Sequence, residues 1–228
     1  MQVLKSLFYQ YYKGGKGVTE SPPTKGIKGF LFISYTHFWK LVRLNLLFIL
    51  FCLPVVTIPP SMVAMNRVLL KLVREGNTFI FSDFIEEFKN SFLKSWIAFI
   101  PWLIVIAVSV MGYKIMQEVY SSTLQIILWV TLCGLLYCHS TYCFSMIALI
   151  DLPLGVIMRN ATIMVLTEMR KNVFIILTTP VFILSAIYYL YTFPLILFLE
   201  FSFAGLVNVM IANEAIEERV IKPVLQAR

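Results

Sequence analysis

Residues 44–75 read Leu-Asn-Leu-Leu-Phe-Ile-Leu-Phe-Cys-Leu-Pro-Val-Val-Thr-Ile-Pro-Pro-Ser-Met-Val-Ala-Met-Asn-Arg-Val-Leu-Leu-Lys-Leu-Val-Arg-Glu, and the fold turns on their reading. The apolar run over 41–58 approaches the roughly 20 residues that a helix needs to cross a bilayer. Pro59 and Pro60 interrupt it. The apolar stretch 60–73 that follows is about 21 Å long at 1.5 Å per residue, short of a full hydrocarbon core. It also carries Asn66 and Arg67. Two readings compete: one plain span ending at the prolines, or a helical hairpin over 41–74 that enters the membrane, turns at Pro59 and Pro60, and returns.

Loop charges favour the hairpin. The N-terminal arm carries Lys5, Lys13, Lys16, Lys25, Lys28, Lys40 and Arg43, and the segment after the first apolar run carries Lys71, Arg74, Lys89 and Lys94. Basic loops stay on the cytoplasmic side. A single crossing puts these two groups on opposite sides, whereas a hairpin keeps them together. Further apolar runs lie at 95–116, 124–150, 172–192 and 194–212. Their connecting loops alternate between poor and rich in Lys and Arg, which makes them four full spans with both termini cytoplasmic. The alternative is five plain spans with one loop in violation of the charge rule.

Composition agrees with lipid as the second solvent. Of the 228 residues, 59% are hydrophobic and 14% charged. A soluble domain averages about 45–50% apolar and about 25% charged. The net charge of +7 sits beside apolar runs, as with Lys40 and Arg43. It reads as loops resting on anionic lipid rather than as a nucleic-acid surface. Cys52, Cys133, Cys138 and Cys143 all fall in apolar runs without a CxxC pair, so free buried thiols are expected. The resulting expectation is an all-α, polytopic helix bundle in the cell membrane. A cytoplasmic arm and linker covers 1–30 and one membrane domain covers 31–228. Within residues 1–12, Val3, Leu4, Leu7, Phe8 and Tyr11 recur at helical spacing.

Two amphipathic stretches complete the layout. In 82–94, Phe84, Phe88 and Phe92 recur at i+4, while Asp83, Glu86, Glu87, Asn90 and Lys94 take the other face. That pattern predicts a helix lying in the cytoplasmic interface, with Ser82 as its cap. A second such helix is expected over 156–170. Each leads through a basic residue, Lys94 or Lys171, into a run containing proline, which hints at an internal repeat.

Asn45, Arg67, His139, Glu200 and Asn208 are the polar residues expected at membrane depth. Ionisable groups there cost roughly 2.5–3.5 kcal/mol on insertion scales, so they face protein and pair. Arg67 and Glu200 come out at similar depth and are expected to meet. A structural clasp is favoured over a proton or ion relay. His139, between Cys138 and Ser140, reads as a packing donor. GxSxG, HExxH and Walker motifs are absent from the sequence. The expectation is therefore a non-enzyme without cofactor, metal site or direct sugar site.

The stretches Leu44–Leu47, Cys52–Ile58, Arg67–Glu75, Phe81–Phe84 and Phe88–Phe92 together resemble the YesL-like family of small bacterial membrane proteins, a domain of unknown function. The resemblance is strongest over 41–95, although Pro59 stands where the family often has glycine. Members are commonly encoded beside carbohydrate ABC importers. The resemblance therefore implies an accessory subunit that binds permease helices in an oligosaccharide importer. A small stand-alone transporter or channel, with Glu200, Arg67 and His139 along its path, is the alternative. A membrane partner of a sugar-sensing kinase is a third.

Overall fold

The computed structural model describes residues 26–119, 122–178 and 196–226, together with Leu184, Tyr188, Tyr191 and Pro194. Every regular element among them is helical. In chain order these are α1 (Gly26–Thr36), α2 (Phe38–Cys52), α3 (Ile58–Glu75), α4 (Ile80–Asn90), α5 (Phe92–Val119), α6 (Ser122–Leu149), α7 (Leu154–Thr167), α8 (Met169–Leu177), α9 (Phe201–Ile216) and α10 (Lys222–Gln226). A 3₁₀ turn, Val55–Thr57, leads into α3, and π-helical turns, Ile196–Glu200 and Glu217–Ile221, flank α9. The predicted arm at 1–25 and most of the predicted span 172–192 lie outside the described residues. Residues 26–30, expected as linker, instead begin α1.

The chain reverses between α2 and α3, but not at the prolines. Leu53–Thr57 form the connection, and Pro59 and Pro60 sit in the first turn of α3. There a residue without an N–H loses nothing, because the first helical N–H groups have no partner within the helix. Thr57 Oγ1 donates to the carbonyls of Phe51 and Pro54 and pins the turn. At the other end, Lys40 Nζ donates to Asn77 Oδ1, so the start of α2 meets the segment after α3. Gly76 ends α3 with φ +70°, a left-handed conformation that favours glycine. The expected short return helix is longer than the sequence indicated. With its 3₁₀ turn it runs over 21 residues, Val55–Glu75, about 31 Å at 1.5 Å per residue.

α3 is the hub. Helices α2, α4, α5, α6 and α9 all pack on it. Ser61, Val63, Ala64, Leu69 and Leu70 are essentially inaccessible. α4 runs back along it antiparallel, because Lys71 pairs with Asp83 (2.6 Å) and Arg67 reaches Glu87 (4.0 Å), one turn down α3 for one turn up α4. After Ser91 the chain bends by 70° into α5. Among the described residues, three helices, Val55–Glu75, Ile127–Leu149 and Phe198–Ile221, are long and apolar enough to cross a membrane, and the bent pair α4–α5 makes a fourth candidate.

Phe84 and Phe88 of the stripe in 82–94 are turned toward protein, whereas Phe92 is exposed. Phe84 is fully buried. Its ring and that of Phe88 lie 5.2 and 5.0 Å from Phe51 on α2, edge-on. Phe92 belongs to α5 and continues the ladder at 5.9 Å from Phe88. An i, i+4 aromatic stripe fits a protein groove as well as a lipid interface, and periodicity cannot distinguish the two. Nor does Ser82 cap α4. Asp83 Oδ2 accepts the Phe79 N–H (2.9 Å) and the Thr78 hydroxyl (2.7 Å), a carboxylate on the orphan donors of the helix start.

Candidate functional site

The polar side chains of the inner helices bind one another. Asn45, fully buried on α2, accepts the Ser202 N–H at 2.9 Å. The π-turn just before α9 interrupts the regular i→i−4 ladder. Asn45 satisfies a buried backbone donor at the junction. Asn208 on α9 donates to Tyr137 Oη (2.7 Å) and accepts the Thr178 hydroxyl (3.3 Å), while Tyr137 and Thr178 share a 3.1 Å hydrogen bond. This triangle joins α6, α9 and the end of α8. Asn172 on α8 accepts the Tyr142 hydroxyl (2.9 Å) and donates to the Val165 carbonyl (2.6 Å), near the end of α7. Asn208 and Asn172 thereby each use donor and acceptor on different helices.

Arg67 and Glu200 do not form the expected pair. Arg67 Nη1 donates to the Ala148 carbonyl at 2.8 Å, and Nε lies 4.0 Å from Glu87. The reason is angular. Met65 and Leu69 face Gly205 of α9, within 3.0 Å of where a β-carbon would stand. Arg67 is two residues from each, about 200° around the helix, and so points to the opposite side of α3. Matching depth along two helices leaves azimuth undetermined. Glu200 is buried at the end of the π-turn that packs on α2. His139 is half-buried on α6. It lines a small cavity of about 430 Å³ with Pro101, Met158 and Arg159.

A second layer of charge closes one end of the bundle. Glu168, at the break between α7 and α8, accepts Arg219 Nε at 2.6 Å and Lys171 Nζ at 3.3 Å. Lys171 also reaches Glu218 at 2.6 Å. Burial raises the Glu168 pKa, but hydrogen bonds from Arg219 and Lys171 outweigh it and hold the carboxyl below its ordinary value. Arg74 Nε donates to Asn213 Oδ1 at 2.7 Å at the same end. The predicted interfacial helix 156–170 is therefore two helices joined at a clasped glutamate. The sequence reading missed Asn172, Tyr137, Tyr142 and the Glu168 cluster. An Asn directly after a Glu-x-x-Lys break was the available signal for the first and last.

Beside this charged end lies a groove of about 1030 Å³ between α1, α3, α8 and α9. Among the described residues no group of three His, Cys, Asp or Glu side chains could hold a metal ion. Cys138 and Cys143 are buried, Cys52 half-buried and Cys133 exposed, all as free thiols.

Residues 41–113 match the family described as protein of unknown function, DUF624, to which YesL-like proteins belong. The matched segment begins in α2, covers the hub and its antiparallel α4, and ends within α5. No curated protein matches the chain, and no solved structure does.

Proposed function

We propose, from a chain whose residues 41–113 carry the DUF624 pattern, that the protein is a non-catalytic accessory subunit of the cell membrane that packs against the helices of another membrane protein. By the family resemblance, that partner is the permease of an oligosaccharide ABC importer. The observation that carries the non-catalytic part is the use of the inner polar side chains. Asn45, Asn172, Asn208 and Arg67 each hydrogen-bond another helix. A relay needs polar groups poised to exchange partners along a path; these amides instead join helix to helix. Apolar side chains on α5 and α6, among them Ile104, Ile127 and Val130, are more than half exposed. They offer surface to lipid or to partner helices.

The fuller layout belongs to the same reading. The hairpin 41–74, four full spans and cytoplasmic termini account for the distribution of Lys and Arg. The Lys40–Asn77 hydrogen bond supports the hairpin, because it joins the two open ends. Maleimide labelling of single cysteines at 40 and 77 from the cytoplasmic side is the check. Labelling of the two from opposite faces would overturn the hairpin. For the function itself, the experiment is mild-detergent purification from cells expressing the importer. Permease and ATPase subunits are expected to co-purify at fixed stoichiometry. Solute transport by the purified chain alone in liposomes would favour the stand-alone transporter instead.

A further inference from the structure

The groove beside the charged end has a head and a tail. Its charged wall residues are Arg74, Lys171, Glu214 and Glu217. The Arg74–Asn213 and Lys171–Glu218 bonds bring the ends of α3 and α9 and the start of α8 together at its mouth. Away from the mouth the walls are apolar, with Phe174, Leu177, Val207 and Met210. Thr178, the polar group at that depth, is engaged by Asn208 and Tyr137. A cavity of this size takes a ligand far larger than an ion, and its polarity is that of an amphiphile.

The charge count at the mouth narrows the head group. Lys171 is neutralised by Glu168 and Glu218. Among the described residues Arg74 is held only through Nε, by a neutral amide, which leaves its Nη hydrogens as donors to an anion. Glu214 and Glu217 lie one turn apart on neighbouring positions of one helical face. No ion pair among the described residues involves them. We propose that the groove binds phosphatidylethanolamine, with the phosphate on Arg74, the ammonium between Glu214 and Glu217, and an acyl chain along the Phe174–Val207 wall. A purely anionic head finds one cation and two repelling carboxylates. A choline head carries the charge but has no N–H to donate.

Native mass spectrometry of the full chain in mild detergent tests this, with phosphatidylethanolamine, phosphatidylglycerol and phosphatidylcholine added at equal concentration. Phosphatidylethanolamine is expected to be retained most. The double variant Glu214→Gln, Glu217→Gln is expected to lose roughly fivefold in its apparent affinity, the scale of an ion pair at a wet rim. Its preference over phosphatidylglycerol should disappear. Neither carboxylate holds a hydrogen bond among the described residues, so an unchanged thermal midpoint without lipid certifies the fold. Arg74→Gln should weaken both phospholipids alike. Equal retention of all three lipids by the unaltered chain would overturn the proposal and leave only a general lipid coat. So would binding that appears only after residues 1–25 are removed, because the chain's own segment would then be the occupant.

Discussion

Asn45 shows what a single amide does in this bundle. It lies deep on α2, and its oxygen takes the Ser202 N–H just after the π-turn. Asn45→Ala strands that donor in a buried site, where the penalty is about 1–3 kcal/mol. A lower unfolding midpoint in detergent, with helix content retained, is the expected readout; an unchanged midpoint would mean that water or another group takes over. Glu168 makes a second prediction at this scale. Its folded pKa lies below the ordinary value of 4.5, so its ion pairs with Arg219 and Lys171 stabilise the fold fully above that value. The contribution is lost as pH falls through the folded pKa. Midpoints measured from pH 7 down to pH 3 should drop more steeply for the unaltered protein than for Glu168→Gln. Parallel curves would remove Glu168 from the account.

Between elements, close approach governs. Gly205 lets α9 sit against Met65 and Leu69 of α3, whose side-chain ends are 3.0 Å from a built β-carbon. Those ends can shift, so Gly205→Ala is expected to be tolerated, whereas Gly205→Leu overpacks the contact at a cost of about 1–3 kcal/mol. Comparing the midpoints of the two variants checks this. Phe84→Ala should destabilise more, by roughly 3–5 kcal/mol, because it empties a fully buried site between α2, α3 and α4. A near-neutral result would place Phe84 against lipid, as the periodicity alone allowed. That contrast marks how much was legible beforehand. Hydropathy located most of the described helices, since length and apolar runs are local properties, and the prolines marked the start of α3. The facing of α4 and the true partners of Arg67 were not legible, because they depend on rotation about helix axes, which no local pattern fixes. Asn208 was visible as a polar intruder, but its triangle with Tyr137 and Thr178 requires three helices to be placed at once.

Over the whole molecule, two groups of ion pairs among the described residues fasten helices together. One joins α3 to α4 through Lys71–Asp83, and the other joins the α7–α8 break to the end of α9 through Glu168–Arg219 and Lys171–Glu218. The part matched to the family contains the first and not the second, which lies well beyond residue 113. A fragment ending near residue 119 would keep α2–α4 but lose the α6 and α9 surfaces that bury the hub. It is expected to aggregate in detergent, which size-exclusion chromatography would reveal; a monodisperse fragment would show that the hub is self-sufficient.

The 70° bend at Ser91 also constrains how the molecule can stand in a bilayer. Membrane helices tilt by about 20° on average and seldom beyond about 40°. If α5 stands at the average tilt, α4 lies at least about 50° from the membrane normal, closer to the plane of the interface than to a crossing.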